Sequence, residues 1–442
     1  MLDGLAEYCT KALGEHDCPS VSIAVARRGE VVLERAYGWA DIEDRRAATT
    51  ATAYALASIS KAVTATAVCA AADDGLFGLD DPVPGPDGEP APTVRQLLQH
   101  RAGVGAYYDF HYADTPRPID SDRYQVRFRE PGSGFEYANL GYHQLGRLLE
   151  RAGGRSLADC LREWVFEPLG MADTHLADRY PGSAPIARRY TPDGRAYPPV
   201  ASSGTPAASS VWTTAADLAR FGHLAPSLLR PETAAAAVAG LPITEHVGYG
   251  LGWIVSTGPG PQIRSHGGGM GGVAAMLIAA PEQELSVAVL TNSTNKAARD
   301  AIVEHVMTEL VPGYRTEQIT PFAADPARPL TLPAGSRWAG KVATADGELP
   351  IGIEVLTENQ ISFAIGGEAV TAPAGAHAEI GLRAVAELQL PTADARVNSP
   401  LLALELNEVD GRLVGRATAC KAGDGTGWLG NFLPHRCELD RV

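Results

Sequence analysis

The chain has 442 residues, a formal net charge of -15 at pH 7 and a sequence pI near 5.2. That length exceeds what one hydrophobic core usually organises and predicts two or three domains. An acidic chain with no basic stripe excludes a nucleic-acid or anionic-membrane surface.

The opening stretch, MLDGLAEYCTKALGEHDCPS, is mixed acidic and polar and lacks the basic start and apolar run of a secretory signal. No segment approaches the ~20 apolar residues of a membrane span. Cys9, Cys18, Cys69, Cys160, Cys420 and Cys437 show no C-x-x-C spacing. The expectation is a cytoplasmic protein with reduced thiols, a Cys9/Cys18 or Cys420/Cys437 bridge being the alternative.

VSIAVARRGEVVLERAYGWAD (21–41) reads as a hairpin turning at Arg28-Gly29. Residues 59–74 read as an Ala-rich buried helix ending at Gly75, TVRQLLQHRAG (93–103) as a short helix ending at Gly103, and 139–154 as an amphipathic helix ending in a Gly pair. SLADCLREWVF and TTAADLARFGHLA read as helices opening on a capping Ser or Thr. Strand patterning returns at YGLGWIVS (249–256) and through 273–292, and KAARDAIVEHVMTELV closes the unit as a helix. Strands at both ends of a helical middle predict an α+β fold: one antiparallel sheet covered by helices, with an α-rich part.

A Pro- and Ala-rich stretch marks a linker, and beyond it short alternating runs with a turn at Asp410-Gly411 predict a small antiparallel barrel of about eight strands. The predicted division is a first domain over 1–315, a linker over 316–335 and a barrel domain over 336–442.

The chemistry concentrates in Ser58-Ile-Ser-Lys61, at the mouth of the Ala-rich helix. Residues three apart share a helix face, so the Lys61 amine can lie against the Ser58 hydroxyl. Burial among Ala and Val would lower the lysine pKa and let it accept the serine proton. Free N-H groups and the positive end of the macrodipole favour a developing oxyanion there. The alternative is a simple N-cap at Ser58, but a capping box wants Glu or Gln where Lys61 stands.

Tyr137 and Asn139 follow in PGSGFEYANLGY (131–142), on a short turn before a helix. The phenol can exchange protons with a substrate and the amide can hold a substrate carbonyl, or the pair is a buried Tyr with an Asn cap. Ser265-His266-Gly267-Gly268-Gly269 comes next. Gly267-x-Gly269-x-x-Gly272 matches a dinucleotide fingerprint formally, but a hairpin pattern rather than a helix follows it, so the nucleotide reading is rejected. Glycines in an edge strand permit close backbone approach, and an N-H there can complete an oxyanion hole with that of Ser58.

With S-x-x-K, Y-x-N and H-x-G in this order, the chain resembles the serine β-lactamase and penicillin-binding protein superfamily, in its class C β-lactamase-like branch of esterases, D-aminopeptidases and acyltransferases. The resemblance covers roughly 5–312 and extends to GLFGLDDPV, VRQLLQHRAG and TTAADLARF. It implies Ser58 as acylated nucleophile, Lys61 as its proton acceptor, Tyr137 as acid/base and Asn139 as a substrate contact. His266, a further catalytic candidate, stands where many relatives carry Lys, Gly268 and Gly269 lie against the substrate, and the N-H of Gly269 is the second oxyanion donor. The barrel is similar to the lipocalin-like domain of some members, where it can cover or shape the entrance.

Two departures bear on the substrate. His266 in place of Lys removes a fixed positive charge and argues against reading a β-lactam or D-Ala-D-Ala carboxylate. Ser209-Ser210 replaces a frequent Gly pair, and Tyr107, Tyr108, Asp109, His111 and Tyr112 are candidates for lining the acyl pocket. The histidines show no metal-ligand spacing, and neither metal nor other cofactor is expected.

The first functional expectation is a serine hydrolase cleaving an amide or ester of a small peptide or D-amino-acid derivative. The second is an acyltransferase, or a penicillin-binding-protein-type thioesterase that cyclises a free or carrier-bound peptide onto an amine. The third is a non-catalytic binding protein. The expected partner is a small-molecule or peptidyl substrate, without nucleic acid or membrane.

Overall fold

The computed structural model describes residues 2–84, 90–321, 325–377, 379–395, 399–421 and 430–442. Nine antiparallel strands form one sheet in the order Arg46–Ala47, Glu30–Asp41, Ser20–Arg27, Leu285–Thr291, Val273–Ala280, Arg264–Met270, Ile254–Ser256, Val247–Tyr249 and Leu241–Pro242. Side chains alternate between faces along each central strand. Ile23, Val25, Met276, Ile278, Val287 and Val289 face the helices Leu5–Glu15 and Ala297–Leu310. Ala24, Ala26, Ala275 and Ala288 face the other way, and their small side chains let the helix Ala215–Leu224 pack close. Beyond that helix lies the α-rich part, with Ser60–Asp73 and Asn139–Gly153 at its centre.

The helix Ser60–Asp73 is buried from Ser60 to Ala71, on every side, which explains an alanine-rich pattern without a polar face. The 20–41 hairpin turns at Arg28 and Gly29, both with positive φ, as the sequence predicts. Thr93 and Gln96 form a reciprocal capping box for a helix that spans only Val94–Leu98. It does not run on to Gly103: His100 takes φ +56 and turns the chain aside. YGLGWIVS is likewise not one strand. It breaks between Tyr249 and Ile254 at a turn with Gly252 at φ +83, where a Cβ would meet Ala65 of the helix Ser60–Asp73.

Eight strands from Arg337–Thr344 to Phe432–Arg441 close into an antiparallel barrel, with the Asp410-Gly411 turn at positive φ. Trp338, Val342, Ile353, Phe363, Leu404 and Leu439 fill it. Of the expected linker, 322–324 lies outside the described residues, and Thr316–Ile319 forms a helical turn whose Gln318 is buried and donates to Pro261 O at 3.0 Å.

The barrel meets the first part of the chain at defined bonds. Tyr108 and Phe432 exchange both backbone hydrogen bonds, at 2.9 and 2.8 Å. Asn431 Nδ2 donates to Asp109 Oδ1 at 3.0 Å, Tyr124 pairs with Asp394, and Arg416 pairs with both Glu136 and Glu405. No helix among the described residues is long and apolar enough to cross a membrane. All six cysteines are buried thiols.

Candidate active site

Ser58 lies in a single helical turn, Ala57–Ile59, that feeds directly into Ser60–Asp73. Ala57 has φ +48, a left-handed residue that sets Ser58 at a sharp corner. Lys61, one turn on, is fully buried, and its Nζ lies 3.1 Å from Ser58 Oγ and 3.3 Å from Ala208 O. Burial pushes the Lys61 pKa well below the usual lysine value. Ser58 makes no side-chain cap bond; its hydroxyl meets Lys61 and the Tyr137 phenol instead.

Tyr137 precedes the helix Asn139–Gly153, and Lys61 Nζ lies 4.7 Å from its ring centroid. Burial raises its pKa, opposed by the bond to Ser58. Asn139 differs from the sequence expectation in the atom it offers. Its Nδ2 donates to Tyr107 O at 2.7 Å, which fixes the amide orientation and leaves buried Oδ1 without a partner at the cavity wall. That oxygen accepts, so it suits a substrate N-H rather than a substrate carbonyl.

The strand Arg264–Met270 pairs with Val273–Ala280 along its whole length, but with Ile254–Ser256 only through Ser265 and Arg264. From His266 on, one edge is therefore open toward Ser58. Tyr108 Oη donates to Gly269 O at 2.9 Å. In an extended strand the N-H and C=O of one residue point to the same side, so the Gly269 N-H also faces the cavity. At Gly268 a Cβ would sit 2.0 Å from Leu56 O, so only glycine lets this strand lie against the turn that carries Ser58. His266 is buried, with Nδ1 2.8 Å from Gly267 O and Nε2 3.0 Å from Tyr249 Oη. Burial first, and Lys61 second, push its pKa down to about 3.

Ser58, Tyr137, Asn139, His266 and Gly267 to Gly269 line a cavity of about 570 Å³, with Lys61 behind Ser58. Of the five candidates between 107 and 112, Tyr107 and Tyr108 line it; Tyr112 accepts from Gly271 N, Asp109 binds Asn431, and His111 sits in the strand Phe110–Ala113. Ser209 Oγ donates to Thr205 O, away from the cavity wall. The sequence reading missed Lys296 and Arg299, Thr316, Ile319, Thr320 and Pro321, and Lys421 and Phe432 from the barrel, all of which line the cavity. No local pattern marks them, because they reach the cavity only through the tertiary fold. Among the described residues no group of His, Cys, Asp or Glu could hold a metal.

The fold and the family it belongs to define a serine hydrolase or acyltransferase. The sequence matches the Beta-lactamase family over residues 5–311, and the chain belongs to that family. It is 25% identical over 389 residues to Penicillin-binding protein 4* of Bacillus subtilis, covering 79% of this chain and 84% of that one. It is 26% identical to a D-aminopeptidase of Cereibacter sphaeroides over 73% of this chain and 66% of the relative. Among solved structures, SurE with D-Leu superimposes with a TM-score of 0.68 at 23% identity, over 98% of this chain and 99% of that one, barrel included.

Proposed function

We propose that the chain takes an acyl group from an amide or ester of a small peptide or D-amino-acid derivative onto Ser58 and passes it to water. The observation that carries this reading is the 3.1 Å approach of a fully buried amine, Lys61 Nζ, to Ser58 Oγ. Burial disfavours the charged form of that amine and so equips it to take the serine proton as Oγ bonds to the carbonyl carbon. The oxyanion then lies between the N-H groups of Ser58 and Gly269. Tyr137, bonded to Ser58, is placed to return the proton to the leaving amine or alcohol and to take one from the incoming water. Asn139 Oδ1 accepts the substrate N-H. A neutral His266 supplies no charge for a carboxylate, which favours donors without one beside the scissile bond. The D-configuration is supported by the names of the relatives, a D-aminopeptidase and a SurE structure with D-Leu.

A second reading replaces water with an amine, as in a thioesterase that cyclises a peptide. One feature favours it: the cavity runs past Ser58 to Lys296 and Thr320, with Phe432 and Lys421 of the barrel as a facing wall, leaving space for a second chain end. In both readings 1–315 carries the chemistry and 336–442 shapes the entrance. The buried, unbridged thiols support a reducing compartment.

The test is intact mass after exposure to D-amino-acid esters and peptidyl thioesters. Wild type should gain the acyl mass, and Ser58→Ala should gain none and lose at least about 10³-fold in turnover. Linear acid as product supports water as acceptor, and amide or macrocycle supports the second reading. An equal adduct on Ser58→Ala would overturn both.

A further inference from the structure

His100, within VRQLLQHRAG, and Tyr249 lie outside the S-x-x-K, Y-x-N and H-x-G motifs, yet they join the two halves of the site. Ala138 N-H donates to His100 Nδ1 at 3.1 Å. That nitrogen is therefore unprotonated, and the proton of the neutral ring lies on Nε2, 3.2 Å from Tyr249 Oη. At the other end His266 Nδ1 faces Gly267 O at 2.8 Å, and a carbonyl only accepts, so the His266 proton is on Nδ1. Its Nε2 lone pair then needs a donor, and the Tyr249 hydroxyl lies 3.0 Å away. Tyr142 also bonds to Tyr249, but its own proton goes to Leu98 O at 3.0 Å. The single Tyr249 hydrogen serves Tyr142 or His266 but not both, and the imidazole Nε2 lone pair is a stronger acceptor than a phenol oxygen, so the hydrogen goes to His266.

The four bonds thus run in one direction, from the turn of Tyr137 to the glycine strand, with all three side chains at most 2% exposed. Either backbone end fixes its histidine tautomer, and the two tautomers are opposite. His100 holds the turn twice over, because its carbonyl also accepts from Glu136 N at 2.8 Å, and its φ of +56 aims the carbonyl and the ring at the two sides of Tyr137.

We propose that His100 and Tyr249 are positioning residues for the Ser58 reaction: they lock the Tyr137–Asn139 turn to the Gly268–Gly269 strand and hold His266 as the neutral Nδ1-H imidazole. This rests on the acyl-enzyme reading above. The chain occupies the place where a charged lysine would otherwise orient substrate, and substitutes a string of neutral dipoles for that charge. His266 therefore supports the strand through Gly267 O and does not act as a proton donor to the leaving group.

The test uses the full-length protein labelled with ¹⁵N-histidine at pH 7, with signals assigned by their loss in His100→Gln and His266→Gln. His100 should report Nε2-H and His266 Nδ1-H. In Tyr249→Phe, which keeps the ring and removes the central hydroxyl, His266 should keep Nδ1-H against Gly267 O while its Nε2 resonance shifts with the loss of the hydrogen bond it accepts. Its kcat on a donor ester should fall roughly ten- to hundred-fold while KM stays within about twofold. Either histidine in the opposite tautomer or as imidazolium in wild type would overturn the proposal, as would an unchanged kcat in Tyr249→Phe. A wild type that forms no Ser58 adduct sinks the acyl-enzyme reading itself. An acylating wild type with an indifferent Tyr249→Phe sinks only the positioning role.

Discussion

Lys61 shows how one side chain's surroundings decide its chemistry. An exposed lysine is charged at neutral pH and cannot take a proton; this one is fully buried, and among the described residues no carboxylate is hydrogen-bonded to it. Its pKa is depressed, so the competent neutral form is lost as pH falls through that depressed value and is complete above it. The kcat/KM profile should accordingly show its acid limb well below 10.5, and Lys61→Met should abolish acylation while Ser58 stays in place. A limb near the ordinary lysine value would refute the desolvation argument. Histidines make the matching prediction for stability. His266 and His435 are lowered to about 3 and about 4, chiefly by burial. The unfolded chain binds those protons first, so their contribution is intact above about 6.5 and drains away as pH falls toward the folded values. Each group accounts for roughly 1.4 kcal/mol per pH unit in that window. Urea melts at pH 7 and 5 should therefore differ less in His435→Gln than in wild type.

At the level of elements, two adjacent glycines separate strictly. A methyl at Gly268 meets the Leu56 carbonyl, part of the backbone that carries Ser58. A methyl at Gly269 meets the Lys296 Cε at 2.9 Å, near the end of a flexible side chain. Gly268→Ala should lose nearly all Ser58 labelling by a fluorophosphonate, and Gly269→Ala should keep most of it; equal losses would place the strand elsewhere. Much of this element structure was legible in the sequence. The Ala-rich helix, the 20–41 hairpin, the Asp410-Gly411 turn and the spacing of Ser58 to Lys61 are all local patterns, and local sterics produced them. His100 was not legible as a helix stop, because a histidine at positive φ is held there by Glu136 and Ala138, far along the chain. Tyr249 read as one more strand residue for the same reason: its partners are His100 and His266, and pairing across 149 residues leaves no periodicity. The helix Leu5–Glu15 was also missed, since its start has a glycine and no side-chain cap.

Across the whole molecule, the two parts are joined by charge next to the chemistry. Arg416 of the barrel is 14% exposed and pairs with Glu136, 9% exposed, which immediately precedes Tyr137 and also lies 3.4 Å from Arg129. Burial, then Arg129, lowers the Arg416 pKa to about 10. Removing either partner leaves the other with one fewer buried counter-charge, Arg416 with Glu405 or Glu136 with Arg129, whereas removing both restores the balance. In a double-mutant cycle, Arg416→Met and Glu136→Gln should therefore couple by roughly 0.5–3 kcal/mol in stability. Arg416→Met should also slow acylation, because the carboxylate it anchors belongs to the Tyr137 turn. Strict additivity of the two changes would mean that the barrel rides on the catalytic part without steering it.

The reciprocal backbone bonds between Tyr108 and Phe432 bear on how such proteins diversify. Tyr108 also touches Gly269 O, so a single residue is stitched at once to the barrel and to the strand beside the nucleophile. Grafting a foreign barrel behind residue 335 would leave that stitch mismatched, and the hybrid should fold yet turn over neither parent's substrate well. The module that recombination can exchange with its selectivity intact is the barrel together with the 105–112 segment of its host, two pieces far apart in the gene that must travel as one.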